Sequence, residues 1–518
     1  MKIISPKLNK IIFYPSSILI VLLSVYTILY PTLSSQYLDL ARCFLGKYFS
    51  WYYMLLMSCC IFVSGWLVFT KYGDIKLGKP NEEPEYSYMS WLFMLFSSGI
   101  GIAIVYYGCY EPVEHFYHPP VEQALTPHAA QSSMVLTYLH WGFHGWSLYA
   151  ITAVIIGYFA YVKDYNLEIR SPLYNLFGTK LINGWLGNLI DGFGILATTL
   201  AMVTNLGIGA LVINAGLHFI FGIDSTVTNL TVLCIIMTIM AAIIAIIGIE
   251  HGIAFVSTIN IYALCCLLLY VFIDGYTVHT LDALIQNTGD YINNFWHLSF
   301  NMYIYQNAEL WRASWTIFYW AWWVTWTPFV GMFLAKISKG RTMRELILST
   351  LFVPAIFTLL WLGIFGNNTL YMIIKLGYKD LATEILNHPE LSIYKYISYL
   401  DFSKILLIVT TVISFILFFA PVDSGCIVIS ELSVIPPHRA GDPQVSTDTI
   451  ESPLWLRVFW CIIPCLVTIG LFYTGNFMAI QTAVVLFALP FSFVIFAYII
   501  SFIKDIKKNY STRCKDAK

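Results

Sequence analysis

The stretch most able to do chemistry in this 518-residue chain runs Ser314-Trp-Thr-Ile-Phe-Tyr-Trp-Ala-Trp-Trp-Val-Thr-Trp326. Five Trp fall within the twelve residues from Trp315 to Trp326. Tyr319, Trp322, Trp323 and Trp326 are spaced i, i+3, i+4, i+7, so a helix carries them on one face. A Trp at the end of a membrane span is an interface anchor, which accounts for Trp315. It does not account for Trp322, Trp323 and Trp326, seven to eleven residues further in. Ring faces deep in an apolar stretch suit a cation without N–H donors. A quaternary ammonium is drawn to the ring quadrupole and asks for no hydrogen bonds.

Three further segments offer partners. His140-Trp-Gly-Phe-His-Gly-Trp-Ser-Leu-Tyr149 places Trp141, Trp146 and Tyr149 within an arc of about 140° on a helix, as the opposing walls of a cage. Ser97-Ser-Gly-Ile-Gly-Ile-Ala103 puts paired glycines, Gly99 and Gly101, inside an apolar run. They serve either close helix packing or an unwound backbone whose carbonyls face a substrate path. Phe418-Phe-Ala-Pro-Val-Asp-Ser-Gly425 brings Pro421, which frees the carbonyl of Leu417, next to an intramembrane carboxylate, Asp423. It reads as a cation site or as a packing kink. His140 and His144 stand at i, i+4 without a third metal ligand in register, and no metal is expected. Asp191, Glu250 and Glu431 lie near span ends and read as solvated. Glu111, Glu114, His115 and His118 read as a cation-attracting outer mouth.

These residues need a membrane around them. Charged residues make up only 11% of the chain and hydrophobic ones 58%, with a net charge of -1. That is too little charge for the surface of a soluble enzyme or for a nucleic-acid partner. Twelve segments are long and apolar enough to span: about 11–31, 51–70, 90–110, 132–161, 184–215, 227–249, 253–274, 315–336, 345–366, 404–430, 454–474 and 478–503. The first is a retained span rather than a signal peptide. With twelve spans, 21 of the 28 Lys and Arg fall on the side of the termini, so both termini are expected in the cytoplasm. Val278–Phe300 reads as an interfacial helix, and the short basic tail as topogenic charge. The 11 Cys are scattered, as small buried hydrophobes would be. No P-loop, GxSxG or HExxH occurs, so pump and hydrolase machinery is absent from the sequence and the chain is not expected to be an enzyme.

Ser314 to Trp323 matches every position of the signature of the betaine/carnitine/choline transporter family, which the chain resembles. Glu85-Tyr-Ser-Tyr-Met-Ser-Trp91, Gly108-Cys-Tyr-Glu-Pro112, Leu139-His-Trp-Gly142 and Phe333-Leu-Ala-Lys-Ile-Ser-Lys-Gly-Arg341 extend the resemblance along the chain. It implies an all-α membrane protein of twelve transmembrane helices with a core of two inverted five-helix repeats, the LeuT-like architecture. The organisation would be 1–84 for the tail and first two helices, 85–275 for the first repeat, 276–314 for an outer interfacial region, 315–503 for the second repeat and 504–518 for the tail. It also implies a homotrimer. Substrate would sit in an aromatic box of Trp141, Trp146, Tyr149 and Trp323 with Trp322 adjacent. Phe318, Trp320 and Trp326 would line the exit path.

Within the family the glycine segment separates substrates. Gly99-Ile100-Gly101-Ile102-Ala103 lacks the Asp of some choline-type members, which favours glycine betaine, and Ala103 leaves carnitine or a related zwitterion open. Sodium-coupled members carry a Thr-Ser pair where this chain has Ala420-Pro421, and the Arg of the sodium-independent branch corresponds to about Asn260. Backbone carbonyls at Ser97, Ile100 and Phe419, with Asp423, are left as a possible ion site, and Thr204 and Phe329 as parts of a second. The expectation is therefore a secondary transporter of quaternary-ammonium zwitterions in the cytoplasmic membrane, glycine betaine first, with carnitine, choline or exchange as alternatives. Sodium dependence should be slight and no cofactor is expected. A channel or sensor is the remote alternative. The short tail argues against osmosensing.

Overall fold

In the computed structural model the described residues are 7–247, 250–435, 452–475 and 477–516, with the backbone alone at 97, 98, 247, 250–258, 420, 423, 424, 477, 478 and 509–516. They are almost entirely helical. The principal helices are α1 (Lys10–Leu29), α2 (Pro31–Tyr48), α3 (Ser50–Phe69), α4 (Tyr88–Gly99), α5 (Ala103–Tyr117), α6 (Pro127–Trp141), α7 (Phe143–Tyr161) and α8 (Trp185–Phe221). They continue as α9 (Val227–Ile247), α10 (Glu250–Asp274), α11 (Thr277–Phe300), α12 (Phe318–Ile337), α13 (Met343–Ile374), α14 (Ser403–Leu432), α15 (Leu454–Tyr473) and α16 (Phe477–Asp516). Two residues of extended chain, β1 (Lys7–Leu8), pair antiparallel with β2 (Val434–Ile435) and tie the start of the chain to the end of α14.

Helices or helix pairs occupy all twelve apolar segments. Among the described residues eight helical stretches are long and apolar enough to cross a membrane on their own, counting α6 and α7 together. Two expected spans are interrupted. α4 ends at Gly99 and α5 begins at Ala103, leaving Ile100 extended (φ -101°, ψ 108°). The glycines of this segment thus mark an unwound backbone. α6 and α7 part at Gly142 (φ -89°, ψ -144°). α12 is entered through a π-helical turn, Ala313–Ile317, and widened turns of this kind recur at functional sites.

Local chemistry sets the starts. The Ser87 hydroxyl accepts from the Ser90 N–H at 3.3 Å to begin α4. Thr126 caps α6 ahead of Pro127. Thr342 and Glu345 form a reciprocal capping box on α13. The segment before α3, outside the expected spans, is helix α2, its Tyr37, Leu40, Phe44 and Tyr48 exposed along one stripe. The segment expected as an interfacial helix, Val278–Phe300, is helical and forms α11. It turns by 111° from the end of α10 and exposes Val278, Leu281, Ile285, Ile292 and Trp296, while Asn287 bonds inward to Asn367 at 3.2 Å. An apolar face turned outward with the polar face turned in is the arrangement for lying against lipid.

α8 packs along α14 and α16, and α12 packs along α7 and α16. The loop after α12 locks onto the segment before α4. Leu77 makes strand-like bonds to that loop, its N–H donating to the Arg341 carbonyl at 2.8 Å and its carbonyl accepting from the Gly340 N–H at 2.7 Å. Arg341, 8% exposed, donates to the Tyr86 carbonyl at 2.8 Å and lies 4.8 Å from the Trp91 ring centre. Lys339 pairs with Glu82 at 2.8 Å, which holds that loop carboxyl below its ordinary pKa. Two of the quoted motifs, Glu85–Trp91 and Phe333–Arg341, therefore meet face to face.

Candidate functional site

The expected box divides into two ring groups. Tyr107 on α5, Trp141 at the end of α6, and Tyr319 and Trp322 on α12 form a closed set. Their ring centres lie 5.7 Å (Tyr107–Trp141), 5.6 Å (Tyr107–Tyr319), 5.9 Å (Tyr107–Trp322), 5.5 Å (Trp141–Tyr319) and 5.9 Å (Trp141–Trp322) apart. Trp146, Tyr149 and Trp323 form the other, at 5.8, 5.3 and 4.9 Å, all at angles rather than stacked flat. Trp322 and Trp323 are neighbours in sequence, and the turn of about 100° per residue sends one ring to each group. The break at Gly142 does the same for Trp141 and Trp146.

Two glycines make room. A Cβ on Gly99 would lie 2.5 Å from the outer edge of the Trp146 indole, and one on Gly145 only 2.1 Å from the Trp323 indole. Gly99 thus serves close packing as well as the unwound turn. Trp323 Nε1–H donates to the His140 carbonyl at 3.0 Å, fixing that ring. The Nε1–H groups of Trp146 and Trp322 are buried without a protein acceptor. Such donors are rare in a native interior and suit a ligand that brings an oxygen.

Behind the first group sits Glu111, which corrects the outer-mouth reading. Glu111 and His115 are both 0% exposed, whereas His118 is open to solvent and pairs with Glu114 at 3.1 Å. Glu111 Oε1 faces His140 Nδ1 at 2.6 Å and His115 Nε2 at 3.3 Å. Its Oε2 accepts from Trp141 Nε1–H at 2.8 Å and from the Tyr319 hydroxyl. His140 Nε2 is 3.1 Å from the Thr316 hydroxyl. His140 therefore finds its companions in Glu111 and His115, not in His144, whose Nε2 meets Ser299 at 2.8 Å. The donor atoms of Glu111, His115 and His140 lie within 4.8 Å of one another, a spacing a metal could use. Hydrogen bonds already occupy Glu111 and His140, so the set reads as a hub that aims Trp141 and Tyr319.

The remaining expected residues are placed as follows. Phe318 stacks on Trp322 at 5.4 Å. Trp320 does not join either group: its Nε1–H reaches Met54 Sδ at 3.1 Å and its ring lies on His144. Trp326 packs against Phe329 one turn beyond the groups. The Ile100 carbonyl lies in the unwound segment, and the side chains of Ser97, Asp423 and Glu250 fall outside the described residues. The Thr204 hydroxyl donates to the Leu200 carbonyl of its own helix at 2.9 Å. Its neighbour Asn205 reaches across instead, Nδ2–H donating to the Phe418 carbonyl at 3.2 Å. Phe419 packs its ring on Phe415 and Phe418. Asp191, expected to be solvated, is 6% exposed and paired with fully buried Arg170.

Four residues escaped the sequence reading of the box: Tyr107, Tyr319 as a wall, Glu111 and Asn205. Tyr107 and Glu111 share an i, i+4 spacing on a helix, which was the available signal. Asn205 is an amide in mid-span.

Comparison with known proteins agrees. The family model described as BCCT, betaine/carnitine/choline family transporter, matches residues 11–511. The chain is 45% identical to the osmo-independent choline transporter of Acinetobacter baylyi, over 97% of this chain and 94% of that one. It is 37% identical to the high-affinity choline transport protein of Escherichia coli strain K12 (97% and 72%). It is 35% identical to a glycine betaine transporter of Bacillus subtilis (90% and 88%). With a motif-bearing helix set, a twin aromatic site and a match along nearly its whole length, this chain belongs to the betaine/carnitine/choline transporter family.

Proposed function

We propose that the protein is a secondary transporter of quaternary-ammonium compounds, working by alternating access in the cytoplasmic membrane. The observation that carries this is the closed group Tyr107, Trp141, Tyr319 and Trp322, with Trp146, Tyr149 and Trp323 beside it. Each ring face contributes about 0.5–2 kcal/mol to a desolvated cation, so a few suffice for micromolar to millimolar affinity after the costs of association. The unpartnered N–H groups of Trp146 and Trp322 give an oxygen at the other end of the substrate somewhere to bind. Choline brings a hydroxyl there and glycine betaine a carboxylate. The relatives' names include both, so choline stands level with the glycine betaine that the glycine segment favoured, and carnitine shares the same chemistry.

In this reading twelve helices span the membrane with both termini in the cytoplasm. Residues 85–275 and 315–503 are the two inverted repeats. The backbone is irregular in the first span of each repeat, in mid-span at Gly99–Ala103 and at the entry of α12 at Ala313–Ile317, which supports that pairing. Lipid meets α2 and α11, and three copies assemble. Transport runs with little dependence on sodium, because Ala420-Pro421 stands where two hydroxyl ligands were expected.

The test is uptake of labelled choline and of labelled glycine betaine into proteoliposomes, with and without unlabelled substrate inside. Entry accelerated by preloading supports a carrier, since a channel is not trans-stimulated. No uptake of any quaternary-ammonium compound by folded protein would overturn the proposal.

A further inference from the structure

We propose that Gln481, on the last span, is a positioning residue of the substrate site: it turns the Tyr107 hydroxyl proton toward an oxygen of the substrate. This rests on the transporter reading above and deepens it, by naming what reads the end of the molecule away from the ammonium head.

Gln481 is the only carboxamide between Phe477 and Ile503, in a mainly apolar run. An amide inside a span is costly unless the protein supplies it with partners. α16 comes close to α8 at this level. Ile480 is 1% exposed, and a Cβ on Gly207 would lie 2.8 Å from its Cδ1. The next side chain, half-buried Gln481, then reaches the first ring group, Nε2–H donating to the Tyr107 hydroxyl oxygen at 3.3 Å. Tyr107 is fully buried, and its ring closes the set with Trp141, Tyr319 and Trp322.

A phenol that accepts one hydrogen bond keeps its own proton to give. That proton lies in the ring plane on one side of the oxygen or the other, and an N–H aimed at the oxygen excludes the side it occupies. Among the described residues the Tyr107 O–H has no acceptor of its own. On the adjoining wall the Trp322 Nε1–H is also buried without a protein acceptor, on a ring centred 5.9 Å from that of Tyr107. Two donors on neighbouring walls suit one substrate oxygen, the hydroxyl of choline or a carboxylate oxygen of glycine betaine. Gln481 stays outside the ring group and acts on the substrate only through Tyr107.

The full-length protein decides this by tryptophan-fluorescence titration with choline and with tetramethylammonium, which has the cationic head and no oxygen. The readout is the ratio of the two affinities, which a general loosening of the site leaves unchanged. Gln481→Ala should lower choline affinity about three- to tenfold and change tetramethylammonium affinity less than about twofold. Tyr107→Phe, which keeps the ring, should do the same, and the two substitutions together should cost no more than either alone. Gln481→Glu can only accept, so it draws the Tyr107 proton to itself and should lower the ratio as far as Gln481→Ala does. Equal losses for both ligands, an unchanged ratio in either single variant, or additive losses in the double variant would overturn the inference. Should Gln481→Ala fail to fold, a wild-type ratio in Gln481→Glu overturns it. If the wild type binds neither ligand, the transporter reading fails and this assignment falls with it; if the wild type binds both and the ratio never moves, this assignment alone falls.

Discussion

Substituting Gly99 with Ala should damage one ring group while leaving the fold intact. The added methyl would stand 2.5 Å from the Trp146 indole, where carbon atoms ordinarily sit about 3.5–4.0 Å apart, so the ring must retreat by about 1–1.5 Å. It has nowhere easy to go. Trp146 is 1% exposed and held between Tyr149 and Trp323. Overpacking of this kind costs about 1–3 kcal/mol, and replacing a helical Gly by Ala returns about 0.5–1 kcal/mol. The net of about 0.5–2 kcal/mol falls on the site, which corresponds to a two- to thirtyfold loss of substrate affinity at about 1.4 kcal/mol per tenfold. The assay is tryptophan-fluorescence titration with choline and glycine betaine, alongside counterflow in proteoliposomes. Gly65→Ala on α3, where a Cβ meets nothing within 4 Å, is the control and should bind like the wild type. If Gly99→Ala binds like the wild type, or the two variants lose affinity equally, the assignment of Trp146 to the substrate site is refuted.

Other outcomes follow from the same geometry. Trp323→Ala should abolish uptake while the protein still elutes as a folded species; near-normal uptake at low substrate would count against the second ring group. Glu111→Gln leaves donors from Trp141, Tyr319 and His140 facing an amide, and should cost about 2–5 kcal/mol of stability, read as a melting temperature lowered by several degrees. Arg341→Ala removes the Tyr86 bond and the cation over Trp91, and should slow transport more than it weakens binding, with Lys a poor rescue. The half-buried Glu82–Lys339 pair at the surface contributes at most about 0.5 kcal/mol. Because the Glu82 pKa is lowered on folding, that contribution holds at neutral pH and fades as acid protonates it; Lys339→Met should flatten this limb of a stability–pH curve.

Much of the architecture was legible because a membrane leaves the backbone few options. Runs of about 20 apolar residues become helices, and the described residues of the twelve segments fall almost wholly on helix. α2 was missed because its apolar stripe is interleaved with polar residues and too weak to read as a span. In the site, residue type was legible and grouping was not. Trp141, Trp146, Tyr149, Trp322 and Trp323 all face ring partners, yet a single helix-face rule put Trp322 and Trp323 together. Only the break at Gly142 and the packing of α5 against α6 show two sets. Glu111 was misplaced because a charge near a span end reads as solvated. Its partners come from elements 29 and 208 residues away in sequence, which no local pattern reveals.

The division of the rings has a pharmacological consequence. Two aromatic surfaces fed by adjacent residues of one helix make the site bivalent toward ligands with a cationic head at each end. For such a bis-quaternary compound the second contact is intramolecular, and its affinity depends on tether length, being greatest where the tether matches the span between the groups and falling on either side. A single-headed substrate pays no attention to that span. A homologous series of polymethylene bis-ammonium inhibitors would therefore act as a ruler, measuring the separation of the two surfaces in the working carrier.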